Sequence, residues 1–293
     1  MTESSFVRRL LLLAIPLACA TPGCRERLPE TPKLAQARAL NQAGGPQSAR
    51  VRRVGASADV LKKALKGGKL VFKDDFERES FGPNWKAELP EWKLQDGEVV
   101  NHFAENKGLW LLEKLPDGDV RIEYDARSDP YEKREKSGAV REEFPGDLKC
   151  EAFNRLPEHQ TGYVFIFGGW QNRINRIARL EEHGNGEGAE VVDGPPFPVE
   201  KSKKYRMKVL RVGSTVAFYA DDTLLGQFTD GDFIEGRHFG FNNWQAHVTF
   251  DNVAVYALEP APAPAPATAP KKANEPTGAP TGAPVTGPNI LTN

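Results

Sequence analysis

The feature that most constrains this chain is a run of eight residues that alternates without a break. Val120, Ile122, Tyr124 and Ala126 are apolar or small, while Arg121, Glu123, Asp125 and Arg127 between them are charged. Side chains of an extended strand point alternately to its two faces. The run therefore predicts a strand with one face in a core and the other in water. Tyr205, Met207 and Val209 alternate with Arg206 and Lys208 in the same way. Gly213-Ser214 then turns the chain into Thr215–Ala220, and Asp221-Asp222 turns it into Leu224–Phe228, a meander of two hairpins. Further strands fit at Leu70–Phe76, Trp92–Asn101, Leu109–Leu115, Asp147–Phe153, Tyr163–Phe167, Arg173–Glu182, His238–Asn242 and Val248–Tyr256. In the last, the apolar parity switches at Asp251-Asn252, which predicts a β-bulge. About a dozen short strands without a long helix predict an all-β, two-sheet jelly-roll sandwich over residues 68–257. One short helix is expected just before it. Ser57 can cap it, Val60, Leu61, Ala64 and Leu65 share a face, and Gly67-Gly68 ends it.

The flanks have a different composition. Arg8 and Arg9 precede an apolar run from Leu10 to Ala20, too short to span a bilayer, so residues 1–23 read as a signal peptide. Ala18-Cys19-Ala20 suits ordinary cleavage, and Thr21-Pro22-Gly23-Cys24 resembles a lipobox, with Thr21 where an aliphatic residue usually stands. Residues 24–67 form a linker with the short helix at its end. Its first part is rich in Pro, Ala, Gln, Arg and Gly and should be disordered. A tether directly after a cysteine suits a lipid anchor, so Cys24 is the expected lipidation site and the cell envelope the expected location, with a soluble exported form as the alternative. Residues 258–293 are a Pro/Ala/Thr-rich tail, expected to be extended and disordered. Lys and Arg number 39 and Asp and Glu 40, for a net charge of −1, so no overall field draws the chain to nucleic acid. Three cysteines make no disulfide scaffold.

Three short motifs carry a family resemblance. Asp74-Asp75-Phe76 leading to Gly82-Pro83-Asn84-Trp85 resembles the opening strand and loop of concanavalin A-like lectin/glucanase domains. Trp92-Lys93-Leu94-Gln95-Asp96-Gly97 is similar to a hairpin of their 3-keto-disaccharide hydrolase-like branch, and Phe250-Asp251-Asn252-Val253 to their closing strand. The resemblance covers residues 70–256 and implies a two-sheet jelly roll whose concave sheet often holds carbohydrate. Some members hydrolyse glycans and many only bind, so fold does not settle activity.

Four places are candidates for chemistry. Glu123 and Asp125 fit two positions of the Glu, Asp, Glu strand motif of the β-glucanases, but Arg127 occupies the third, and a cation is neither nucleophile nor acid there. The stretch Tyr163 to His183 offers Trp170 after a Gly-Gly bend. It also carries Asn175, Arg179 and Glu181 on one parity of the next strand, and then His183. Amides and cations beside an indole suit a sugar, whose hydroxyls need paired donors and acceptors and whose C–H face stacks on an aromatic ring. Structure is the competing role for each. Asn242, Asn243 and Trp244 close another strand, and if the two strands are neighbours their tips form one rim. Asp147, Lys149 and Glu151 alternate with Leu148, Cys150 and Ala152, which turns Cys150 to the core. The ligand surface is thus expected to be Trp170, Asn175, Arg179, His183, Asn242 and Trp244, with carbohydrate as partner. An enzyme would draw its acid/base from Glu151, Glu181, Glu182 or His183, and a scaffold would use the fold without sugar. His102, His159, His183, His238 and His247 show no zinc-like spacing, and no metal or cofactor is expected.

Overall fold

The computed structural model describes residues 55–259. The signal region, Cys24, the linker before Gly55 and the tail beyond Glu259 lie outside the described residues. The alternating segments pair into two large antiparallel sheets. The eight-stranded sheet has the order β15 (Thr223–Thr229), β14 (Thr215–Ala220), β13 (Tyr205–Val212), β6 (Val120–Asp129), β17 (His247–Ala257), β4 (Glu98–His102) and β3 (Lys93–Gln95). Its eighth strand, β1 (Lys69–Asp74), pairs with the second half of β17. The seven-stranded sheet has the order β12 (Glu190–Asp193), β11 (Ile174–Arg179), β10 (Tyr163–Gly168), β9 (Leu148–Asn154), β16 (His238–Asn242), β5 (Leu109–Leu111) and β2 (Trp85–Ala87). A separate hairpin joins β7 (Tyr131–Arg134) to β8 (Val140–Glu143). Early and late strands interleave in both sheets, which is the jelly-roll sandwich that the pattern predicted. The short strands β2, β7, β8 and β12 were not foreseen, because three or four residues carry too little periodicity to be read.

Alternation sends one row of each inner strand into a shared core. Val120, Ile122, Tyr124 and Ala126 enter it from one sheet, and Tyr163, Phe165, Phe167, Phe239 and Phe241 from the other. Phe241 lies at the centre, stacked on Phe250 at 4.1 Å and on Trp85 at 5.7 Å between ring centroids. Offset stacking of this kind adds about 0.5–1.5 kcal/mol to the area each ring buries. The predicted bulge is present: the register of β17 against β6 shifts between Asp251 and Ala254, and Asn252 sits at φ 51°. The extra residue lets Val248, Phe250, Val253 and Val255 all reach the core.

The helix α1 (Ala58–Ala64) is capped by Ser57, whose Oγ accepts from Val60 N at 3.4 Å. It packs Leu61 onto Leu210, Val212, Ala217 and Tyr219, the outward rows of β13 and β14. Arg121 ties it down by donating to the carbonyls of Ala64 and Gly67. The helix is therefore built into the fold, and a boundary at residue 68 cuts through a packed contact.

Candidate functional site

The outer face of the seven-stranded sheet gathers most of the chain's unusual groups. Trp170 follows β10 in a tight turn whose residues Trp170, Gln171 and Asn172 all have left-handed φ, at 51°, 63° and 60°. Each such residue costs about 1–3 kcal/mol and persists only where its surroundings enforce it. Here Asn172 Nδ2 donates to Val199 O and Val199 N donates to Asn172 Oδ1, both at 2.8 Å. The strain lifts the indole out of the surface, 36% exposed. It rests on the Arg176 guanidinium at 4.7 Å, with His183 edge-on at 5.5 Å. Arg176 is held bidentate by Asp193 and donates to the Glu182 carbonyl. His183 Nδ1 meets Glu181 Oε1 at 2.7 Å.

Trp244, 49% exposed, follows β16. The strands that end at the two tryptophans are not neighbours, because β9 runs between them. Their tips still share one end of the sheet, two strand spacings or about 10 Å apart. Asp147, just before β9, binds both loops: its Oδ2 accepts from Trp244 N at 2.5 Å, and its own N donates to Gly168 O at 2.9 Å. The other three tryptophans, Trp85, Trp92 and Trp110, are buried. Trp110 lies on this outer face with its ring over Gly240, where an added Cβ would come within 2.5 Å of the ring.

Behind the rim lies a buried polar row. Lys149 Nζ donates to Asn106 Oδ1 at 2.6 Å and to Glu182 Oε2 at 3.2 Å. Glu151 is fully buried. Its Oε1 takes His159 Nδ1 at 2.6 Å and Asn242 Nδ2 at 2.7 Å, and its Oε2 takes Asn154 Nδ2 and Gln160 N, both at 2.9 Å. Burial pushes the Glu151 carboxyl up, but the neighbouring His159 and the hydrogen bonds from His159, Asn154 and Asn242 outweigh it and hold the group below its ordinary value. Glu182 is depressed likewise, burial being overcome by Lys149, His159 and Asn106.

Three expected site residues are elsewhere. Asn175 and Arg179 share the parity of Ile177, which enters the core, so both point inward from β11 rather than outward. Asn175 is a loop clamp: Oδ1 accepts from Gly168 N, and Nδ2 donates to the Pro195 and Phe197 carbonyls. Arg179 is 5% exposed and donates from Nε to Asp230 Oδ2 at 2.7 Å. The outward cation of that strand is Arg176, between Ile174 and Ala178. Asn242 belongs to the Glu151 network and not to the rim. Arg176, Asn106, Asp147, Lys149 and His159 were not among the expected residues, although the parity that turned Cys150 inward already turned Lys149 and Glu151 outward.

The carboxylate acid/base candidates are all engaged, as is Nδ1 of His183. Both Glu151 oxygens are filled, Glu182 holds Lys149 and Asn106, and Glu181 accepts from His183 N and Asn185 N. On the opposite sheet Glu123 and Asp125 pair with Arg206, and Glu123 also with Arg121. Each of these carboxylates already holds at least two hydrogen-bond or ion-pair partners, which lowers its availability as a nucleophile or general base.

No family model matches the chain, and no curated protein does. Among solved structures, the carbohydrate-binding module CBM66 from Bacillus subtilis is 19% identical, over 59% of this chain and 96% of that one, with a TM-score of 0.47. The carbohydrate recognition domain of Emp47p is 12% identical, over 70% and 100% of the two chains, at 0.44. LamAcat from Zobellia galactanivorans is 13% identical, over 67% and 99%, also at 0.44. Similarity of this degree says nothing of what this chain binds.

Proposed function

We propose that this chain is a non-catalytic carbohydrate-binding sandwich that takes a glycan across the Trp170–Trp244 rim. One observation carries the reading: the two exposed tryptophans among five follow strands that end at the same edge of one sheet, and Asp147 ties both of their loops, through Trp244 N and the Gly168 carbonyl. An exposed indole backed by a guanidinium is a preorganised platform for the C–H face of a sugar ring. The gap of about 10 Å between the tips suits a ring or two. Burying indole area contributes about 25 cal/mol per Å², whereas each hydroxyl contact largely exchanges with water and nets about 0.5–1.5 kcal/mol. Stacking should therefore dominate affinity.

A glycan array followed by titration of the best ligand tests this. Trp170→Gly and Trp244→Ala should each weaken binding tenfold or more, which takes about 1.4 kcal/mol. Absence of any glycan ligand, or unchanged affinity in both variants, defeats the reading. Hydrolysis of the 3-keto-disaccharide type would need the Glu151 or Glu182 carboxylate to be released from its partners, and no observation favours that. For the chain as a whole we propose export and lipid anchoring at Cys24, from the apolar run before it and the basic tether after it. Mass spectrometry of membrane-extracted protein decides this, and an N-terminus at Thr21 without acyl mass excludes it.

A further inference from the structure

A groove of about 410 Å³ crosses β3, β4, β17 and β6 on the outer face of the eight-stranded sheet, on the far side of the sandwich from Trp170. His102 of β4 and His247 of β17 stand in it as direct cross-strand partners. Their rings lie 3.6 Å apart between centroids, tilted by 38°. Among the described residues, no hydrogen bond engages any of their four ring nitrogens, although charged groups beside them are engaged. Arg127 donates to Asp129 at 2.9 Å and to Glu98 at 3.1 Å, and Lys204 donates to Glu98 at 2.8 Å. Phe103 and Tyr131 meet the His102 ring edge-on at 5.8 and 6.3 Å and fix its plane.

We propose that His102 and His247 chelate a divalent transition-metal ion of the copper, nickel or zinc type. Imidazole nitrogens suit these ions, whereas calcium and magnesium prefer oxygen. Two adjacent strands hold both donors on one face, so little side-chain freedom is lost on binding. The donors must be neutral to bind. A neutral imidazole offers one nitrogen lone pair, so the pair of rings offers two donors. Among the described residues no three His, Cys, Asp or Glu side chains gather as a metal cage. Water therefore completes the ion's shell, and the site is open and exchangeable.

The test is calorimetric titration of the untagged full chain with copper, nickel, zinc, calcium and magnesium ions. One saturable site should appear, tightest for copper and absent for calcium and magnesium. His102→Gln and His247→Gln should each weaken it at least tenfold, and His183→Gln should not. The paramagnetic resonance spectrum of the copper complex should carry nitrogen hyperfine structure that both variants lose. Melting curves check that the variants remain folded, as expected for side chains on an open face. No saturable binding below about 1 mM, or binding retained in both variants, overturns the proposal.

Discussion

Glu151 Oε1 lies 2.6 Å from His159 Nδ1, on a carboxylate that solvent does not reach. Through Glu151 the middle of β9 grips the loop after it, since Gln160 N binds the second oxygen. A group so placed stabilises the sandwich only while it is ionised. Glu151→Gln keeps the shape but turns one acceptor into a donor that faces donors. Loss of one member of a buried pair costs about 3–5 kcal/mol, and urea midpoints at neutral pH should fall accordingly.

The same carboxylates set the acid limb. Glu151 and Glu182 bind protons below their ordinary 4.5 in the folded chain. Between the two values the unfolded chain holds the extra proton. Their contribution is therefore complete above about pH 4.5 and is lost as the pH falls through the folded values. Chemical denaturation as a function of pH should show stability falling in that window, less steeply in Glu151→Gln. An acid limb identical in the two proteins would exclude this role.

Arg179→Met should behave as a core mutation and not as a ligand-site mutation. It strips Asp230, 3% exposed, of its cation and leaves only the Tyr163 hydroxyl on Oδ2, at 2.6 Å. The expected loss is about 3–5 kcal/mol. Glycan affinity of the protein that remains folded should equal that of the parent. A selective loss of affinity would return Arg179 to the site.

Trp170→Gly separates binding from folding. Glycine adopts φ 51° without the penalty that tryptophan carries there. Relief of that strain offsets the lost contacts with Arg176 and His183. Melting curves should then stay within about 1 kcal/mol of the parent while binding falls.

Leu61→Ala should cost about 2–5 kcal/mol, the range for a buried leucine. A fragment starting at residue 68 should melt below one starting at residue 55, because it uncovers Leu210, Ala217 and Tyr219. Equal melting temperatures would place α1 outside the cooperative unit.

Local pattern determined much of this protein. Alternation from Val120 to Arg127 identified a strand and its wet face, Ser57 marked the start of α1, and Asp251-Asn252 announced the bulge, because each depends on residues adjacent in the chain. What lay beyond that reach was which face of β11 is inward. Ile174, Ala178 and Leu180 make one parity of β11 look like the core side, with Asn175 and Arg179 on the other. Yet the apolar row Val164, Ile166 and Ala178 packs on the outer face, and Arg179 turns inward to Asp230, 51 residues away. Burial of a cation is tolerated only where a partner waits, and strand periodicity carries no trace of a partner supplied by a distant loop. The same limit hid β9 between the two tryptophan-bearing strands, and the meeting of His102 with His247. The sequence by itself therefore determined the layers and most of their strands. Tertiary pairing alone decided which polar side chains are structural and which reach the rim.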